Sequence, residues 1–258
     1  MTNQMRKNRG LGELDSYLEN FSGLIKNKLK YQKKVKILDA GCGYGLAMTG
    51  LLKKFGNRIE VIGYNKNKQH GTIKDLKRMS IKRGLFTKED IKKIKNFPKI
   101  IYLNAEKKLP FRKESFDFIY CLHSVYLYKD KIEFFKEVNR ILKKDGIARI
   151  SFFEVTMLKN KKEVFDNLRK SNRNHFLEIW NETKQINIID YFNNIKGIEI
   201  KFGKRKSKDH AIIYLEIKKQ PKLNFNLKFV NSVNMGLIAP DKYGIRDIYS
   251  LNSTPKVL

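Results

Sequence analysis

A chain of 258 residues with 41% hydrophobic side chains can bury one sizeable core, which suits one large domain or one domain with appendages. No apolar run approaches the about 18 residues of a membrane span, and the basic start MTNQMRKNRG lacks the apolar segment of a signal peptide, so a cytoplasmic protein is expected. The formal charge of +29 admits RNA or another polyanion as a partner, although the abundant Lys is accompanied by Asn, Ile, Phe and Tyr, all served by A/T-rich codons.

Residues 1–34 carry one short amphipathic stretch, LGELDSYLENF, and are expected to form an N-terminal arm or cap. VKILDA (35–40) reads as a buried strand. GLAMTGLLKKF then places Leu46, Met48, Leu51, Leu52 and Phe55 on one helical stripe, and RIEVIGY (58–64) returns as a second strand, completing a βαβ unit. The span 65–98 exceeds what one crossover helix needs, so a helical insertion is expected at about 72–96, with Thr87 and Asp90 close to a capping box. KIIYLNA (99–105) and FDFIYCL (116–122) are the third and fourth strands. DKIEFFKEVNRILKKDG is an amphipathic helix with Ile132, Phe135, Val138, Ile141 and Leu142 inward and Gly146 as its stop, and IARISFFEV (147–155) is the fifth strand. A helical stretch is expected at about 160–180.

IEIKFG (198–203) and HAIIYLEIKK (210–219) are separated only by the polar turn KRKSKD, so they must be antiparallel: a parallel return needs a crossover. From Pro221 the periodicity fades, with LNFNLKFV as a candidate edge strand, and 220–258 are expected as a C-terminal arm. The alternation predicts an α/β, Rossmann-like doubly wound sheet over residues 35–219, mostly parallel with an antiparallel C-terminal hairpin strand. Ligands of such sheets bind at the carboxyl ends of the strands.

The stretch ILDAGCGYG (37–45) joins the first strand to the first helix through glycines at 41, 43 and 45. Glycine permits close backbone approach, and the following helix start favours negative charge, so a nucleotide-like ligand fits. A dinucleotide loop would have its third glycine at position 46, which is Leu46, and no Gly-Lys-Ser/Thr follows for a Walker loop. Asp39 would repel a pyrophosphate but could receive a ligand ammonium, which favours a molecule with an amino-acid end and an adenosine end. The two cysteines, Cys42 and Cys121, form neither a disulfide framework nor a CxxC pair, and His70, His123, His175 and His210 are scattered, so no metal site is expected.

VKILDAGCGYG, NAEKKLPFRKESFDFIYCLHSVYLYKD and FFKEVNRILKKDGIARIS together resemble the class I S-adenosylmethionine-dependent methyltransferases over roughly residues 33–219, with a seven-strand sheet implied. The resemblance implies S-adenosyl-L-methionine as cofactor. It places Gly41, Cys42, Gly43 and Tyr44 along the methionine portion with Asp39 near the amino group, Asn104 and Ala105 at adenine, and Leu122 and His123 beneath the cofactor beside the methyl group. Asn65 stands where the family usually has an acid that accepts both ribose hydroxyls, so a weaker or rearranged ribose contact is expected. His123, Tyr126, Tyr128 and Glu154 are candidates near the methyl group; His123 is the candidate base, and Tyr126 belongs to the catalytic set or the pocket wall.

Cys-Leu-His-Ser after the fourth strand is unlike the Asn/Asp-Pro-Pro-aromatic sequence of enzymes that methylate exocyclic base nitrogens, and Tyr120 precedes Cys121 where cytosine carbon-5 enzymes acting on RNA use proline. A small-molecule acceptor is therefore favoured. An RNA or protein methyltransferase using the basic surface, and a non-catalytic cofactor-binding module, are the alternatives.

Overall fold

The computed structural model describes residues 10–104, 107–156, 177–204, 210–239 and 242–252. The first unit is strand β1 (Val35–Ala40), helix α3 (Leu46–Phe55) and strand β2 (Ile59–Asn65), preceded by helices α1 (Leu11–Tyr17) and α2 (Phe21–Lys28). Helices α4 (Ile73–Lys82) and α5 (Lys88–Lys93) fill the expected insertion, and Thr87 Oγ1 accepts from the Asp90 N–H at 3.0 Å while Asp90 Oδ2 accepts from the Thr87 N–H at 2.8 Å, a complete capping box. Strands β3 (Lys99–Tyr102) and β4 (Phe116–Cys121), helix α6 (Lys131–Ile141), and strands β5 (Leu142–Thr156), β8 (Ile198–Lys204) and β9 (His210–Lys218) complete the main sheet.

Its order is β3-β2-β1-β4-β5-β9-β8. The first five strands run parallel, and β9 is antiparallel to both of its neighbours, β5 and β8. Because side chains alternate across a strand, Ile37 joins the cluster under α1, α2 and α3, while Leu38 and Ala40 join a second cluster on the opposite face with α6 residues Phe135, Val138 and Ile141. Both faces of β1 are thereby buried, as a parallel strand requires.

Helix α6 stops at Ile141 rather than running to Gly146, because Leu142 is already extended and pairs with Phe116 of β4. Gly146 lies within β5, where an added Cβ would sit 2.7 Å from the Leu142 side chain.

A second sheet was not foreseen. It has the order β10-β11-β6-β7, built from β6 (Leu177–Asn181), β7 (Lys184–Ile186), β10 (Leu227–Ala239) and β11 (Lys242–Leu251), with β11 parallel to β6. The segment expected as a C-terminal arm thus pairs with strands from within the expected domain. LNFNLKFV contributes only its last residues to β10, the edge of this sheet. The helix expected at 160–180 is corrected at its end: 177–181 is a strand, with Leu177 and Ile179 buried and Glu178 and Trp180 half-exposed, a period of two. Residues 160–176 lie outside the described residues. Helix α7 (Ile188–Asn193) follows, capped by the Asn187 side chain.

The N-terminal arm is packed into the molecule. Leu14, Leu18, Phe21 and Ile25 are fully buried, and the buried Arg149 guanidinium donates to Leu18 C=O at 2.5 Å and Glu19 C=O at 2.7 Å while paired with Glu216 at 2.6 Å. Tyr214 O–H adds a bond to Glu19 Oε2 at 2.7 Å. Helix α1 also rests on Gly203, where a Cβ would lie 1.8 Å from the Tyr17 carbonyl oxygen. Gly203→Val is therefore expected to lower stability by about 1–3 kcal/mol through overpacking; an unchanged thermal midpoint would show that the arm does not dock there.

Candidate functional site

Gly41, Gly43 and Gly45 all have left-handed φ, at +76°, +54° and +72°, which side chains adopt only at a cost. The turn is anchored from below: Cys42 N–H donates to Tyr64 C=O at 3.0 Å, and Gly45 N–H donates to Cys42 C=O at 2.9 Å. The Cys42 side chain points inward against Gly63, whose missing Cβ would lie 2.7 Å from Cys42 Cβ and Sγ. Burial, reinforced by nearby Asp39, raises the Cys42 thiol well above its ordinary pKa and keeps it protonated. Cys121, fully buried, is pushed up to about 12, chiefly by desolvation. Neither thiol is a nucleophile at neutral pH.

Asn65 ends β2 and is only 3% exposed. Its Oδ1 accepts from the Gly43 N–H at 2.8 Å, and its Nδ2 donates to Gly43 C=O at 2.9 Å and to Gly71 C=O at 3.2 Å. The side chain expected to meet a ribose is thus committed at both ends to the backbone of two loops. Gly71 itself is required there: its φ is +136°, and a Cβ would lie 2.3 Å from Gly43 C=O. Tyr102 O–H adds a bond to Gly71 C=O at 3.3 Å.

Asp39, 3% exposed, accepts from Tyr120 O–H at 2.8 Å. At the carboxyl end of β4, His123 has φ +52°, and its N–H donates to Ser151 Oγ at 2.7 Å, so a side chain of β5 holds this turn. The Tyr17 ring of α1 meets the His123 ring edge-to-face, 5.4 Å between centroids. Ser124 Oγ donates to Gly41 C=O at 3.0 Å, tying the segment after β4 to the glycine turn. Leu122 is buried, and Tyr44 and Tyr126 are half-buried. Asn104 lies just past β3, with its C=O accepting from Lys107 N–H at 3.2 Å. Ala105 and the Glu154 side chain lie outside the described residues.

Asp39, Gly41, Cys42, Gly43 and Asn65 are thus linked through one hydrogen-bonded end of the sheet, with His123 joined to it through Ser124. Tyr17, Ser124 and Gly71 escape sequence reasoning. Tyr17 belongs to an element read as an arm, Ser124 carries no motif, and Gly71 closes a polar run whose contact with Gly43 depends on the fold.

Residues 38–150 match the model of a protein family described as a methyltransferase domain. Residues 38–150 thus carry a methyltransferase domain. Among solved structures, the chain is similar to a protein of Methanococcus maripaludis described as an S-adenosyl-L-methionine-dependent methyltransferase, at 16% identity and TM-score 0.48, covering 86% of this chain and 93% of that one. It is also similar to the YcgJ protein of Bacillus subtilis, at 16% identity and TM-score 0.44, covering 77% and 97%. A third similar structure is a SAM-dependent methyltransferase from Aquifex aeolicus, at 17% identity and TM-score 0.40, covering 80% and 96%. No significant match to a curated protein is found. No helix among the described residues is long and apolar enough to cross a membrane.

Proposed function

We propose that this chain is an S-adenosylmethionine-dependent methyltransferase that acts on a small-molecule acceptor held between the carboxyl end of β4 and the N-terminal arm. The observation that carries the reading is the Tyr17 ring closing on His123 at 5.4 Å. Helix α1 roofs the acceptor end of the site in this reading, an enclosure suited to a small molecule more than to a polymer strand. Asp39, Gly41, Cys42, Gly43 and Tyr44 line the methionine portion of the cofactor in this reading, Asn104 and Ala105 the adenine, and Leu122 and His123 the methyl group. The glycine turn fits such a ligand, since an added Cβ at Gly43 would have as its nearest neighbour only the His70 carbonyl oxygen, 3.9 Å away. Asn65 enters as the residue that shapes this turn.

Bound S-adenosylmethionine supplies a sulfonium methyl group already activated for displacement. What the chain must do is hold the acceptor atom in line and exclude water. Tyr17 and Tyr126 wall the acceptor, and His123 takes a proton at an imidazole nitrogen where the acceptor loses one.

Incubation with methyl-labelled S-adenosylmethionine and an extract of the source cells tests the reading. Label is expected in material resistant to nuclease and protease. Label in RNA or protein would overturn the small-molecule assignment and give the basic surface a role, and cofactor binding with no label anywhere would identify a binding module without transfer. Gly43→Arg is expected to abolish cofactor binding in calorimetry; unchanged affinity would sink the loop assignment.

A further inference from the structure

The contact of Tyr17 with His123 is supported from one place in the main sheet. Arg149 and Ser151 lie two residues apart on β5, so their side chains leave the same face, and their partners across the antiparallel ladder are Glu216 and Tyr214 of β9. Arg149, Ser151, Glu216 and Tyr214 are all buried, at 5%, 2%, 3% and 0% exposure, on the face that packs under helix α1. Three of them hold a segment that carries one of the two rings. Arg149 donates to the Leu18 and Glu19 carbonyls, Tyr214 O–H donates to Glu19 Oε2, and Ser151 Oγ accepts from the His123 N–H. Glu216 fixes Arg149 at its Nε, 2.7 Å away, and Lys201 Nζ closes on the other carboxylate oxygen at 2.6 Å.

Backbone strain gathers at the same contact. Among the described residues six non-glycine residues have left-handed φ, and three of them belong here: Glu19 at +48° and Asn20 at +54°, which turn the chain out of α1, and His123 at +52°. Such conformations cost stability, persist where the surroundings impose them, and cluster at ligand clamps and active sites. The joint after α1 is also kept from pivoting, because Asp15 accepts from the Ser22 N–H and from Ser22 Oγ, each at 2.6 Å. A buried ion pair such as Arg149 with Glu216 adds little stability that well-packed apolar side chains would not. What the four polar side chains supply is geometry: one stretch of sheet sets the separation of two segments that lie far apart in the chain.

We propose that Arg149 and Ser151 are positioning residues of the acceptor site: from one face of β5 they set where Tyr17 and His123 stand against each other, Arg149 through the last carbonyls of α1 and Ser151 through the His123 backbone. The inference rests on the acceptor placement given under Proposed function. Disturbing either residue misplaces the roof over the methyl group and slows transfer, while the glycine turn keeps its hold on the cofactor.

NMR of the His123 imidazole, assigned with His123→Gln, reads the contact without any acceptor, because the Tyr17 ring shifts its resonances. Transfer of label from methyl-labelled S-adenosylmethionine into the nuclease-resistant and protease-resistant fraction of a cell extract reads the consequence, and calorimetry with S-adenosylmethionine reads the cofactor end. Ser151→Ala and Arg149→Lys are each expected to move the His123 resonances towards those of Tyr17→Ala. Each should slow transfer by about ten-fold or more, since a misplacement of about 1 Å can cost about 100-fold in rate. Cofactor affinity should match that of wild type, and Ser151→Thr, which keeps the hydroxyl, should restore both readouts. Arg149→Lys combined with Tyr17→Ala should be no slower than Tyr17→Ala alone, because both act through one ring. Ser151→Ala, the milder change, carries the test if Arg149→Lys does not fold. Wild-type resonances in both variants would overturn the proposal, as would losses that multiply in the combined variant. Shifted resonances with wild-type transfer would refute the positioning role and leave the four side chains purely structural. Label confined to RNA or protein in wild type would instead overturn the small-molecule reading beneath the proposal.

Discussion

Asp247→Ala is expected to destabilise the protein by about 3–5 kcal/mol, because it leaves a buried ammonium without its counter-charge. Lys131 and Asp247 are both 0% exposed and lie 3.0 Å apart. Lys131 Nζ also donates to Tyr128 C=O at 2.8 Å and Ile245 C=O at 3.0 Å, while the Lys131 N–H and Ser232 Oγ donate to the carboxylate at 3.1 Å and 2.7 Å. One side chain of β11 thus holds the first residue of α6, and through Lys131 the second sheet reaches Tyr128 beside the glycine turn.

Burial lowers the Lys131 pKa, and Asp247 opposes that shift. Removing the carboxylate should depress the pKa further. A lysine with a depressed folded pKa costs stability while it is protonated, and the cost fades as pH rises through that folded value. The deficit of Asp247→Ala relative to wild type is therefore expected to narrow on the alkaline side, below the ordinary lysine pKa. Urea titrations at several pH values read both effects. Lys131→Met with Asp247→Leu should recover much of the loss, since a buried pair replaced by apolar groups is often neutral. Wild-type stability for Asp247→Ala alone would disprove the account.

Asn65→Asp, which restores the acid usual in the family, is expected to weaken S-adenosylmethionine binding by about ten-fold or more. The amide donates to two carbonyls, Gly43 at 2.9 Å and Gly71 at 3.2 Å, and accepts from the Gly43 N–H at 2.8 Å. A carboxylate can keep only the last of these, and it would present negative charge to both carbonyl oxygens. Gly43 C=O would be left with only the weak Cys42 thiol donor at 3.7 Å and Gly71 C=O with only the Tyr102 O–H at 3.3 Å, a loss of about 1–3 kcal/mol. Gly71 could then no longer be held against Gly43, and the turn would lose its shape. Calorimetry with the variant decides the matter: tighter binding would mean that position 65 reads the ribose directly and that the clamp is dispensable.

The βαβ beginning, the insertion with its Thr87 cap, and the antiparallel β9 were legible because they rest on short-range chemistry: period-two and helical apolar spacing, a capping pair, and a turn too short for a crossover. The spacing of Gly41, Gly43 and Gly45 after Asp39 was legible for the same reason, since left-handed φ must be met residue by residue. LEIWN carries a period-two signal in only five residues, too few to separate a strand from the end of a helix. Its partner is β11, about 70 residues away, so the second sheet depends on a pairing that no local pattern announces.

Position 65 divides the two kinds of information most clearly. The sequence by itself determined that an amide ends the second strand, where its resemblance to the class I methyltransferases implies an acid, and that the turn before it is rich in glycine. Only the tertiary structure decided what the amide does, because its three partners belong to Gly43 and Gly71, and those backbones meet only once the loop after β2 folds back over the first turn. The same holds for Tyr17 over His123. Both arise from elements distant in the chain, brought together by burial of both faces of the sheet.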